Sequence, residues 1–118
     1  MSADCEVECL QIGSSIEVIR LHGTLDAQSA MVLLEHATRV RAGKRSLVLN
    51  LAGVTLIASS GLGALLATIE KFRNGPYSMR IAAPSPAVDS IIQLLNLHEF
   101  LPIDPEEKTA VATIEAAA

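Results

Sequence analysis

The chain has 118 residues, half of them hydrophobic, with 13 acidic against 9 basic side chains and a net charge of −4. That is enough for one self-sufficient core, and the acidity excludes a nucleic-acid surface, which needs a basic face. Phe72, Phe100 and Tyr77 are the whole aromatic set, so the core must be aliphatic.

Cys5 to Ile12 and Ile16 to Leu21 read as two strands joined by the turn Gly13-Ser14-Ser15, an N-terminal hairpin. The second, IEVIRL, is apolar on both faces, as expected of a strand inside a sheet. Cys5 and Cys9 on the first strand point the same way but stand roughly 13 Å apart, beyond disulfide reach. No histidine lies at zinc spacing from them. They read as small hydrophobes of a reducing compartment. With no signal peptide and no apolar run long enough to span a bilayer, a cytoplasmic protein with no membrane partner is expected.

Between Gln28 and Ala42 the period becomes helical, with Ala30, Leu33, Leu34, Ala37 and Val40 on one stripe and Gly43 as its stop. Asp26 stands just before this helix, where an aspartate caps. The basic run from Arg39 to Arg45 falls at the helix end, where cations meet unsatisfied carbonyls, and reads as solvated surface. Ser46 to Leu51, SLVLNL, is a short buried strand. A second helical stripe, Leu62, Leu65, Leu66, Ile69 and Phe72, closes at Asn74-Gly75-Pro76. Met79 to Ala83 is another strand. Pro84 and Pro86 lead into a third helix with Val88, Ile91, Ile92 and Leu95 at helical spacing. A short apolar piece spans Leu101 to Ile103. Asp104-Pro105-Glu106-Glu107 then opens a last helix with a capping side chain, a first-turn proline and acids at the positive dipole end. The order β-β-α-β-α-β-α-(β)-α predicts an α/β architecture: one domain over residues 1–118, with a mixed, mostly parallel sheet and helices packed against it.

Catalytic chemistry is sparse. His22, His36 and His98 are scattered and lack metal spacing. SGLGAL lacks the third glycine and the lysine of phosphate-gripping loops, and the Ser-Gly pair lacks the frame of a hydrolase elbow. No catalytic, metal or cofactor site is expected. What stands out is the joint TLIASSGLGALL, Thr55 to Leu66, where a strand-like run gives way to a helix at Ser59-Ser60-Gly61. On one reading a serine caps the helix and Gly61 permits the turn. On another, a hydroxyl is displayed at a helix N-terminus, where a phosphate would meet free N–H groups and the positive dipole end. Gly63, Ala64, Ala67 and Thr68 gather away from the leucine stripe, as a flat docking face or as close packing within the domain.

LHGTLDAQSA (Leu21 to Ala30), SLVLNLAGVTLIASSGLGALL (Ser46 to Leu66) and MRIAAPSPAVDSIIQLLNLHEFLPI (Met79 to Ile103) together resemble the STAS domain of anti-sigma factor antagonists, over nearly the whole chain. The resemblance implies partner switching: binding to an anti-sigma factor that is also a serine kinase, release of a sigma factor, loss of binding on phosphorylation, and restoration by a metal-dependent serine phosphatase. It places the phosphoacceptor at Ser59, the first serine of the family's Asp-Ser-Ser-Gly motif. It also places Asp26 on the neighbouring loop and Gly61 at the motif glycine; Ser60, next to the acceptor, and Gly63 and Ala64 of the flat helix face complete the expected partner-binding set. The chain departs from the motif in having Ala58 where the family has aspartate. The alternative is a STAS scaffold or accessory subunit without a working acceptor, for example of a lipid-transporting ATPase.

Overall fold

A computed structural model describes residues 5–117, so residues 1–4 and 118 of the expected domain lie outside the described residues. The elements are β1 (Cys5–Ile12), β2 (Ile16–Leu25), α1 (Ala27–Ala42), β3 (Ser46–Ile57), α2 (Ser59–Phe72), β4 (Met79–Ala82), α3 (Pro86–Leu94), β5 (Ile103–Asp104) and α4 (Glu107–Ala117). The five strands lie side by side in chain order, β1 antiparallel to β2 and the rest parallel. The α/β fold with a mixed, mostly parallel sheet is therefore as expected. Each parallel crossover advances one strand in the same direction. Since such crossovers are right-handed, the three helices they carry must fall on one face.

That face holds the main core. Leu33, Ala37 and Val40 of α1, Leu65 and Phe72 of α2, and Val88 and Ile92 of α3 pack on Ile19, Leu21, Leu49 and Ile81 of the strands. Among the described residues the opposite face is covered by α4, whose Ala110 and Ile114 sit on Ile16, Val18, Val48 and Ala82. Among the described residues no helix is long and apolar enough to cross a membrane.

Several local features depart from expectation. β2 runs on to Leu25 and β3 to Ile57, well past Leu51. Two register shifts against β2, between Arg20 and His22 and between Gly23 and Thr24, break the alternation that marks a strand in sequence. Asp104 does not cap α4. It ends β5, nearly buried, with its carboxylate on the Arg80 guanidinium, and the helix begins three residues later. At the end of α1 the left-handed residue is Lys44, with φ 61°, while Gly43 keeps an ordinary φ of −79°. The N–H of Arg45 closes the end by donating to Val40 O at 3.2 Å.

The basic run lies at that helix end and is largely exposed, as expected, but its arginines are paired. Arg39 donates through Nη1 and Nη2 to the two oxygens of Glu17, at 3.1 and 2.6 Å, and Arg45 lies 3.9 Å from the same carboxylate. Arg41 donates to Lys71 O at 3.0 Å and sits over the Tyr77 ring. These arginines tie α1 to the sheet and to α2. Glu17 is 2% exposed, a charge that burial alone would disfavour, yet the Arg39 hydrogen bonds hold its carboxyl below the usual carboxylate range. A depressed folded-state pKa contributes stability above the unfolded value of 4.5, and that contribution is lost as pH falls through the folded value. Glu17→Gln should therefore destabilise the fold by about 1–3 kcal/mol near neutral pH. It should also flatten the acid limb of a urea-midpoint-versus-pH profile. A variant profile parallel to the parent's would contradict this.

Candidate functional site

In the parallel register Leu25 of β2 lies beside Ile57 of β3, so the residues that follow, Asp26 and Ala58, leave the sheet side by side. The N–H of Ala58 donates to Leu25 O at 2.9 Å and pins the two exits together. One exit opens α1 and the other α2. Asp26 and Ser59 are thus brought to the same end of the sheet, by the C-terminal ends of two adjacent interior strands.

Asp26 caps α1, as its position suggested. Its Oδ1 accepts from Gln28 N and Ser29 N, both at 3.1 Å. Ser29 completes a capping box: Asp26 N donates to Ser29 Oγ at 2.8 Å, and that hydroxyl donates in turn to Thr24 O at 2.8 Å. The Ser29 N–H is the main cause that holds the Asp26 carboxyl below its ordinary pKa. Ser29 is 7% exposed and was not singled out from the sequence. Its signal was the Asp-x-x-Ser spacing, with serine where a capping box more often has Glu or Gln.

The second exit is built differently. Ala58, extended at φ −91° and ψ 165°, occupies the N-cap position of α2 and accepts the first helical bond, from Leu62 N at 3.0 Å. Among the described residues no side chain caps this helix. Ser59 and Ser60 are already its first two residues, and both are exposed. The reading in which one of them caps the helix is therefore corrected. Gly61 is corrected too: it has no positive φ and serves close approach rather than a turn. It is buried, and a Cβ there would lie 2.2 Å from Leu25 O, a distance real side chains do not reach.

The small residues of α2 do not share one face. Gly63 is exposed, with open space where a Cβ would stand, and Ala67 is exposed as well. Ala64 is 6% exposed and Thr68 fully buried, its hydroxyl donating to Ala64 O at 2.7 Å. Beside the serines, α2 shows Gly63 and the half-exposed Leu66, and the first turns of α1 show Met31, 66% exposed. Among the described residues no three His, Cys, Asp or Glu side chains gather to hold a metal ion. The arrangement offers a hydroxyl on a rigid helix start beside a fixed carboxylate, on a partly apolar surface.

Residues 10–110 match the STAS domain family. An anti-sigma factor antagonist from Mycobacterium paratuberculosis superposes with a TM-score of 0.82 at 25% identity, over 98% of this chain and 99% of that one. The anti-sigma factor antagonist SpoIIAA in its unphosphorylated form gives 0.77 at 20% identity, over 94% and 97%. The Bacillus cell-fate determinant SpoIIAA in its phosphorylated form gives 0.71 at 19% identity, over 92% and 99%.

Two substitutions check this geometry. Ala58→Asp places an acceptor below the uncapped N–H groups of α2 and should stabilise the protein by about 1 kcal/mol in urea denaturation. Gly61→Ala forces the helix off Leu25 and should cost about 1–3 kcal/mol. An unchanged midpoint for either variant would contradict the arrangement described.

Proposed function

The chain belongs to the STAS domain family, and on that premise we propose that it is an anti-sigma factor antagonist working by partner switching. It binds an anti-sigma factor with serine kinase activity and frees a sigma factor. Phosphorylation of Ser59 ends that binding, and a metal-dependent serine phosphatase restores it. It acts as a regulatory binding protein rather than an enzyme, in the cytoplasm, as one domain.

The observation that carries this reading is the position of Ser59. Its hydroxyl is exposed on the first residue of α2, and the capping position that would explain a serine structurally belongs to Ala58. A phosphate on Ser59 would lie at uncapped N–H groups and the positive dipole end, so the fold tolerates it. The cost falls on whatever docks there, through repulsion and desolvation of roughly −1.5 to −2 charges. The similarity of the whole chain to a Mycobacterium paratuberculosis protein described as an anti-sigma factor antagonist supports the same reading. So does the fold it shares with SpoIIAA, which exists with and without phosphate.

Partner contacts are assigned to Asp26, Ser59, Ser60 and Gly63, with Met31 and Leu66 as apolar neighbours. Gly61 and Ala64 shape this surface from beneath, because both are buried. Asp26 is held rigid by its own cap, so it presents a fixed negative charge beside the acceptor. Ala58 in the motif's aspartate position favours a second reading, a STAS scaffold or accessory subunit that carries no phosphate.

Binding of the anti-sigma factor from the same genome, measured by calorimetry, tests the proposal. Ser59→Ala should bind like the parent. Ser59→Asp should bind about ten- to hundredfold more weakly, a cost of about 1.4–2.8 kcal/mol for a charge brought into the interface. Equal affinities for the two variants would sink a charge-based switch.

A further inference from the structure

The half of β3 that delivers Ser59 depends on its two register shifts. Leu51, Val54 and Ile57 all face the main core although they stand three residues apart. In an uninterrupted strand such neighbours would point to opposite faces. The first shift follows the Arg20–Asn50 rung, after which His22 lies beside Gly53.

The Asn50 side chain lies at that shift and supports it. Its side-chain Oδ1 accepts from Ala52 N at 2.9 Å, giving the N–H of the extra residue a partner. Its amide nitrogen donates to Glu107 Oε1 at 2.9 Å. Glu107, in the first turn of α4, grips the other end of the same rung: Arg20 Nε and Nη2 donate to its two oxygens, both at 2.9 Å. Glu8 on β1 lies 3.3 Å from Arg20 Nη1 and completes the charged groups around this point. One carboxylate thus holds both rung residues. An Asn amide whose nitrogen is held in this way must turn its oxygen toward Ala52.

We propose that Glu107 is a positioning residue for the Ser59 loop. It fixes the Asn50 amide, the amide fixes the shift at Ala52, and the shift sets which way the last residues of β3 face. Docking of the C-terminal helix is thereby coupled to the presentation of Ser59, on the opposite side of the sheet from α4. A protein or modification that draws α4 away would be felt at the serine. The functional consequence rests on the switch reading given above, whereas the coupling itself is a property of the free protein.

Amide hydrogen exchange of the free protein, read by NMR, tests the coupling. In Glu107→Ala the amides of residues 52–57 should exchange about tenfold faster while those of residues 46–49 keep their rates. Glu107→Gln, which retains an oxygen for Asn50, should restore much of the protection. Asn50→Ala, which leaves the Arg20–Glu107 pair in place, should reproduce the effect, and the double variant should be no faster than Asn50→Ala alone. Faster exchange confined to α4, or full additivity of the two substitutions, would overturn the proposal. Partner binding is measured separately. If the exchange result holds and the parent protein fails to bind an anti-sigma factor, the positioning role stands and the functional reading falls.

Discussion

One backbone oxygen organises this molecule: the carbonyl of Leu25, at the end of β2. It accepts the N–H of Ala58 and has Gly61 pressed against it so closely that no side chain fits between. Those two contacts seat the start of α2 on the end of the neighbouring strand. The start of α2, and with it the local placement of the proposed switch, follows from that seat. Ser59 lies between the two contact residues and is therefore placed by backbone alone, with its own side chain left free to point outward. Asp26 follows Leu25 directly, so its carboxylate is fixed from the same point, with the capping box setting its direction.

A phosphoacceptor placed in this way would separate stability from signalling. Side chains that hold a fold cannot be modified without unfolding it. Here the hydroxyl that would be modified is spared structural work, and the work is done by a glycine, an alanine and a carbonyl. Elsewhere charged pairs bind elements together: Glu17 with Arg39 joins β2 to α1 and Arg20 with Glu107 joins β2 to α4, while Arg80 with Asp104 joins the neighbouring strands β4 and β5. Two of the three involve a nearly buried carboxylate, Glu17 or Asp104. A chain with so few aromatic residues thus supplements an aliphatic core with ion pairs that also specify which element packs where.

The order of elements and the sheet were legible in the sequence because helical and strand periods alternate cleanly between Gln28 and Leu95. Asp26 was legible as a cap, since an aspartate ahead of an apolar stripe has few other local roles. The length of β3 was not. Its register shifts give it an irregular pattern of buried positions, and Ala52-Gly53 reads as a break. Asp104 misled because proline and two glutamates follow it, and only the fold brings Arg80 beside it. The basic run at the end of α1 was legible as surface, but its pairing was not, since Glu17 is distant in the chain. At the candidate site the serines and the glycine were visible, but which residue caps α2 depends on where the strand ends. That in turn depends on Leu25, which no local pattern identifies.

The most direct test of the central claim is intact-mass spectrometry with site mapping, after incubation with ATP and the anti-sigma kinase from the same genome. A single added phosphate on Ser59 is the expected result, and would show that the aspartate missing at position 58 is dispensable. An unmodified protein, despite demonstrated binding to that kinase, would contradict the switch and leave a constitutive antagonist or a scaffold.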